Sequence, residues 1–307
     1  MATLRIAEHI AAGTSDIEGL AGIAGCDADA LHSVLNYLVS KGVFETPGPG
    51  RFGLNDAARG LLDPSARIGL DLEGIGGRMA YSWSTLLTYV RTGQPAYQEV
   101  FGMPFWEDLD AHPDIAASFD ALMGAIGHGT PNPEILVSGD WDNVRAVVDV
   151  GGGTGALLAE ILRARPAVYG TLVDLPRTVA RSGETFRLAG VADRVTTIGQ
   201  SFFDPLPAGA DLYVLAKVIN DWPDREATAI LRRCAEAARP DGRVVVLGGV
   251  VPDNVRPGLS VEMVLAGGKQ RSVAQFRELA RMAGLRVQAA EPLPSGRFVV
   301  ECQPASS

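Results

Sequence analysis

Cysteine is scarce in this chain of 307 residues. Only Cys26, Cys234 and Cys302 occur, an odd number at no short spacing, which excludes a disulfide framework and a zinc knuckle and leaves buried thiols as the expectation. Long apolar runs are also missing: no segment approaches the ~20 consecutive apolar residues of a membrane span. The opening "MATLRIAEHI" lacks the basic-then-apolar order of a signal peptide, so a cytoplasmic protein without a membrane partner is expected. Basic residues are in deficit, 27 against 36 acids for a net charge of −9, and long-range attraction to a polyanion is therefore not expected. What is present is an ordinary globular composition, 47% apolar, on a chain long enough to suggest two domains.

The first 55 residues read as three helices and a hairpin. "TLRIAEHIAAG" and "SDIEGLAGIAG" carry apolar residues at helical spacing. "DADALHSVLNYLVSKG" starts on an Asp cap and gathers Leu31, Val34, Leu35, Leu38 and Val39 on one face. "VFETPGPGRFGLN" alternates about a Pro-Gly turn. Together they predict a winged helix, whose third helix would be a DNA reader. Residues 1–60 hold four basic residues (Arg5, Lys41, Arg51, Arg59) against seven acids, 4 − 7 = −3. Phosphate contacts supply most nucleic-acid affinity, so no nucleic-acid partner is expected. Dimerisation or covering of a substrate suits this unit better.

Residues 56–145 read as helical and hold much of the aromatic content: Tyr81, Trp83, Tyr97, Phe101, Phe105, Trp106 and Phe119, with Met123 nearby. Such residues pack helices together or line an apolar pocket for a flat ligand, and both uses can coexist. Trp83, Phe101, Phe105, Trp106, Phe119 and Met123 are the substrate-binding candidates.

From Arg145 strands alternate with helices. "RAVVDV", "YGTLVD", "RVTTIG", "ADLYVLA" and "GRVVVL" are apolar strand runs, and "LRVQAAEPLPSGRFVVECQP" adds two that lie close enough to pair antiparallel. The fold class is α/β, a doubly wound Rossmann-like domain of seven strands behind a helical winged-helix domain. Ligands of such sheets sit at the carboxyl ends of the strands. There, Gly151, Gly153 and Ala156 satisfy G-x-G-x-x-G/A, and Asp174 follows at the distance of a ribose-binding acid. This alone does not separate a nicotinamide dinucleotide from another nucleoside. Asp149, two residues before the first glycine, disfavours a pyrophosphate and suits a cationic ligand such as S-adenosylmethionine; pointing into the sheet is its alternative.

The ordered set "VVDVGGGTG", "LVDLP", "SFFDPLP", "VINDWPD" and "GGK" behind a winged-helix front resembles the S-adenosylmethionine-dependent O-methyltransferases of the caffeate type, above all the bacterial members that decorate polyketides and other natural products. The resemblance covers nearly the whole chain. It implies a class I methyltransferase domain over 145–307, a homodimerising winged-helix domain over 1–95, and a helical linker and substrate-pocket segment over 96–144. It also implies S-adenosyl-L-methionine as cofactor, held by Asp149, Gly151, Gly153, Asp174, Leu175, Ser201 and Phe202, with Trp141 and Lys217 bordering the same pocket. The partner would be a small aromatic or polyketide-like substrate, and no metal is implied. The chain starts later than most such relatives, short of part of the first dimerisation helix.

One motif departs. The family's fourth strand ends in His-Asp-Trp, the histidine acting as general base; here the position is Asn220, and an amide takes no proton at useful pH. Gly248 and Gly249 replace a common Glu-Arg, predicting a more open site end. His128 and Glu262 are the candidate substitutes for the base, while His9, His32 and His112 look structural. Methyl transfer by positioning, with Asn220 orienting the acceptor, is the expected chemistry. The alternative is a relative that keeps the cofactor but decarboxylates, hydroxylates or rearranges its substrate.

Overall fold

Val147, Val148 and Val150 are buried on opposite faces of one strand, the pattern of a parallel strand covered by helices on both sides. In the computed structural model, which describes residues 1–124, 132–256 and 258–305, this strand is β3 (Ala146–Val150) at the centre of a seven-stranded sheet. Two strands before it form a front hairpin, β1 (Glu45–Gly48) and β2 (Arg51–Gly53). After it come β4 (Tyr169–Asp174), β5 (Val195–Gly199), β6 (Leu212–Ala216), β7 (Arg243–Leu247), β8 (Val250–Val251), β9 (Arg271–Ser272), β10 (Leu285–Pro292) and β11 (Phe298–Pro304).

The sheet order is β10-β11-β7-β6-β3-β4-β5. β3, β4, β5, β6 and β7 pair parallel, whereas β11 pairs antiparallel with β7 and β10. The expected doubly wound sheet and its terminal antiparallel pair are both present. Because β3 has β4 on one side and β6 on the other, the winding reverses at β3, and a crevice opens beyond its carboxyl end. One face packs Val148, Val150, Tyr213, Leu215, Val244 and Val246 against helices 224–237 and 273–282. The other packs Val147, Leu212, Val214 and Val245 against helix 156–164 and Phe186. Cys234 and Cys302 are buried thiols within the first of these cores.

Two compact units divide the chain: residues 1–81 with 109–127, and residues 82–108 with 128–307. In the first, helices Ile6–Ala11, Ile17–Ala24 and Ala28–Ser40 precede the hairpin, and Ile6, Leu20, Leu31, Leu35, Phe44 and Phe52 form their core. Asp16 and Asp27 cap the second and third helices by accepting from the amides of Gly19 and Ala30, both at 2.8 Å. Val34 departs from the expected face: it is 45% exposed, because the buried stripe of the third helix is carried by Leu31 and Leu35. No helix among the described residues is long and apolar enough to cross a membrane.

Candidate active site

The crevice is built from four strand ends. β3 leads into the turn Gly151–Gly155, whose first two glycines are packed too closely for side chains: a Cβ on Gly152 would lie 2.4 Å from Asp149 Oδ2, and one on Gly151 would lie 2.8 Å from Val218 Cγ2 and 3.3 Å from the Phe202 ring. A Cβ on Gly153 would meet nothing within 4 Å, so this glycine faces the open crevice. β4 ends on Asp174, whose carboxylate accepts from the amides of Gly153 at 2.8 Å and Leu175 at 2.7 Å. Burial raises this carboxyl above its ordinary range, opposed by those hydrogen bonds. β5 leads to Ser201 and Phe202, with Ser201 Oγ accepting from the amide of Phe203 at 3.2 Å.

β6 continues through Lys217, which adopts a left-handed φ of 56° and donates its amide to Leu247 O at 2.6 Å. A short 3-10 turn, Ile219–Asp221, follows. Asn220 Nδ2 donates to Asp221 Oδ1 at 2.9 Å; since a carboxylate only accepts, the amide nitrogen must face it. Asn220 Oδ1 is thereby turned away, buried and without a hydrogen-bond partner among the described residues. Trp222 stacks on Trp106, ring centres 5.7 Å apart and planes 15° apart, and meets Phe202 and Phe203 edge-on at 5.8 and 5.0 Å. Trp106 touches Phe105, which touches Tyr97, which touches Phe101. The result is a continuous aromatic wall from Phe101 to Phe202, beside the glycine turn and the Asn220 turn.

A nucleoside sulfonium fits this crevice. Asp174 retains lone pairs for ribose hydroxyls, and the open side of Gly153 admits a ligand against the backbone. Residues 83–286 match the profile of a family described as the O-methyltransferase domain. The chain belongs to the O-methyltransferases. It is 42% identical over 302 residues to the 2,7-dihydroxy-5-methyl-1-naphthoate 7-O-methyltransferase of Streptomyces carzinostaticus, covering 95% of this chain and 89% of that one. It is 38% identical over 299 residues to aclacinomycin 10-hydroxylase RdmB of Streptomyces purpurascens, covering 92% and 79%. Its fold superposes with a TM-score of 0.88 and 41% identity on an O-methyltransferase (NcsB1) from neocarzinostatin biosynthesis in complex with S-adenosylmethionine and 2-hydroxy-5-methyl naphthoic acid, covering 99% of this chain and 93% of that one. The protein is an S-adenosylmethionine-dependent methyltransferase, and S-adenosyl-L-methionine is its cofactor.

Within the methyltransferase, Gly151, Gly153, Asp174, Leu175, Phe202 and Asn220 gather at the crevice, with Ser201 and Lys217 on strand ends that border it and Asp149 buried beneath the glycine turn. Trp141 does not join them. It precedes β3, where the Arg165 guanidinium stacks 3.9 Å from its ring centre beyond the end of helix 156–164, so it lies at the strand's amino end, opposite the glycine turn. Phe101, Phe105 and Trp106 are in the aromatic wall, whereas Trp83 is 44% exposed. Phe119 and Met123 belong to the first unit. His128 and the side chain of Glu262 lie outside what the structure describes. The Gly248-Gly249 pair is not an opening: both have positive φ, 81° and 76°, and Cβ atoms there would press on Lys217 Cγ at 3.1 Å and Asn220 Cβ at 3.0 Å. Arg271, passed over in the sequence because only the preceding "GGKQ" hints at it, proves to be a fully buried cation beside the Asn220 turn.

Asp149 is 1% exposed, beneath Gly152, with both carboxyl oxygens lacking a hydrogen-bond partner among the described residues. Of its two sequence alternatives, the structure places it on the Val147 face of the sheet, under the turn rather than free at its mouth. Burial, and next the charge of Asp174, push its carboxyl up to about 7. An unfolded aspartate titrates near ~3.9. Between those values folding takes up a proton, so this contribution to stability is complete below about pH 4 and is lost as pH rises through about 7. The ligand-free enzyme is expected to unfold at lower temperature at about pH 8 than at about pH 5.5, and Asp149→Asn should flatten that slope. Thermal unfolding at the two pH values checks it, and an equal slope in the variant would assign the effect elsewhere.

Proposed function

We propose that this enzyme transfers a methyl group to a hydroxyl of a small aromatic or polyketide-like natural product of the hydroxynaphthoate class, with Asn220 orienting the acceptor oxygen. The observation that carries this reading is the aromatic wall through Trp222 beside Asn220 Oδ1, which is buried without a hydrogen-bond partner among the described residues. Its chemistry suits a flat acceptor with one hydrogen-bond donor at the reacting position. The 42% identical relative bears a dihydroxy-methyl-naphthoate in its name, and the similar solved structure holds a hydroxy-methyl naphthoic acid.

The cofactor supplies a methyl group already activated on a sulfonium, ready for in-line displacement. In this reading the chain's own residues position and enclose. Asp174 takes the ribose hydroxyls, and Gly151 and Gly153 let the backbone approach the ligand. Phe202 and Trp222 offer aromatic faces that exclude water. Asn220 Oδ1 accepts the hydrogen bond of the substrate hydroxyl, which leaves an oxygen lone pair aimed at the methyl; as the O–CH₃ bond forms and the S–CH₃ bond breaks, S-adenosylhomocysteine is the leaving group and the hydroxyl proton is released to solvent. Such orientation is worth ~7–11 kcal/mol, whereas a general base adds about 10²–10⁴-fold, so transfer without a base remains efficient. A cytoplasmic homodimer is the working state of this reading, supported by the exposed apolar side chains Ile23, Leu70 and Leu72 in the first unit.

Incubating the purified enzyme with S-adenosylmethionine and 2,7-dihydroxy-5-methyl-1-naphthoate tests it. S-adenosylhomocysteine and a methyl ether should form in equal amounts, and no methyl ether would overturn the substrate class. Asn220→Ala should lower kcat about tenfold, the value of one hydrogen bond, with cofactor affinity unchanged; undiminished turnover would remove the role given to Asn220. The identity to a 10-hydroxylase, together with an amide where a base is expected, favours hydroxylation as the second reading. It predicts an oxygenated product that forms only when molecular oxygen and a two-electron reductant are supplied, without S-adenosylhomocysteine.

A further inference from the structure

The turn that presents Asn220 is held from outside. Within it, the Asp221 amide donates to Val218 O at 3.2 Å, and Asn220 Nδ2 donates to Asp221 Oδ1 at 2.9 Å. Arg271, on β9, is 0% exposed, and its amide donates to Gly249 O at 2.9 Å through the short β8–β9 pairing. Its guanidinium spreads over four acceptors. Nη1 donates to Ile219 O at 2.8 Å and to Lys269 O at 3.2 Å, Nη2 donates to Trp222 O at 2.7 Å, and Nε donates to Asp224 Oδ1 at 2.9 Å. Lys269 Nζ donates to the other oxygen of Asp224 at 2.6 Å.

The carbonyls of Ile219 and Trp222 bracket Asn220 and Asp221, so one rigid fork fixes both ends of the turn. From the other side, a Cβ on Gly268 would fall 1.9 Å from Asn220 O and 2.5 Å from the Asp221 carbonyl carbon, and Gly249 abuts Asn220 Cβ. Burying a cation is a poor way to gain stability, because apolar replacements of buried ion pairs are often neutral or better. A planar guanidinium with five donors in fixed directions is, however, well suited to holding several carbonyls in one geometry. We propose that Arg271 is a positioning residue for methyl transfer, setting the aim of the Asn220 side chain by clamping the carbonyls on either side of it. This rests on the reading of Asn220 as the group that orients the acceptor.

Arg271→Lys in the full-length enzyme tests the proposal. With the naphthoate as acceptor, kcat should fall about tenfold while the KM for S-adenosylmethionine and the affinity for S-adenosylhomocysteine stay within about twofold. Placed on Asn220→Ala, the same substitution should cost less than about a further twofold, because the residue it acts through is already gone. An equal loss in both backgrounds, or a parallel loss of S-adenosylhomocysteine affinity, overturns the proposal. Asp224→Asn, which leaves Ile219, Trp222 and Arg271 in place but weakens the anchor of the guanidinium, should show a smaller loss with the same dependence on Asn220, and serves if Arg271→Lys does not fold. If the wild-type enzyme does not turn over the naphthoate, the substrate reading fails by itself. Hydrogen exchange over residues 217–222 with S-adenosylhomocysteine present then decides the role of Arg271. Exchange at least about tenfold faster in the variant supports the clamp, and unchanged exchange refutes it.

Discussion

Asp174→Ala is expected to weaken S-adenosylhomocysteine binding by roughly 10²-fold or more. The carboxylate stands at the end of β4, at the strand switch, and holds two backbone amides, one of them within the glycine turn. Those bonds fix its oxygens in place before any ligand arrives, so ribose hydroxyls meet a preorganised acceptor. Hydrogen bonds to a charged group contribute about 1.5–3 kcal/mol each, and a factor of ten costs about 1.4 kcal/mol; the loss of two predicts at least that hundredfold. The alanine variant also strands the Gly153 amide, which loosens the turn itself. Asp174→Asn keeps the shape but must aim its NH₂ at one of two N–H donors, so a substantial loss is expected there too. Calorimetric titration with S-adenosylhomocysteine, alongside thermal unfolding to show that the variant is folded, checks this. Affinity within about threefold of wild type would mean that another group holds the ribose.

The residues that were legible in the sequence are those whose burden is local. Val147, Val148 and Val150 announce a strand covered on both faces because they place apolar side chains on each. The glycine turn is legible because a side chain at Gly152 would collide with Asp149. Asp174 is legible because the strand and helix lengths of a βαβ unit fix its distance from that turn. What was not legible depends on contacts between distant segments. β8 and β9 are two residues each and have no periodicity to detect, yet their pairing brings Arg271 to the Asn220 turn from fifty residues away in the chain. Gly248 and Gly249 suggested lost volume, whereas the structure uses them for close backbone approach at positive φ. Trp141 borders the pocket by the family resemblance alone, but the loop into β3 arrives at the opposite end of the strand. Val34 shares the helical spacing of Leu31 and Leu35 and still faces outward, because the small core of the first unit buries only the Leu31–Leu35 stripe of this helix.

Asn220→His is expected to raise the rate, and the gain should depend on pH in a defined way. The amide orients the acceptor but takes no proton, so turnover by the wild-type enzyme should climb with pH as the substrate hydroxyl ionises by itself. A neutral imidazole at the same place supplies a general base, worth about 10²–10⁴-fold where the acceptor is a poorly ionised hydroxyl. An ordinary histidine titrates near ~6.5. The variant's rate should therefore rise through that region and level off, whereas the wild-type rate should continue upward. Asp221 Oδ1, which accepts from the Asn220 amide, would receive the imidazole N–H and turn the other nitrogen toward the acceptor. Rates for both enzymes across about pH 5.5 to 9, with the naphthoate and with a more acidic phenol, make the comparison. The advantage of histidine should shrink as the phenol becomes more acidic, because less is left for a base to do. A variant no faster than wild type with the less acidic acceptor would show that proton removal does not limit this enzyme, and that Asn220 occupies a post where a base was never required.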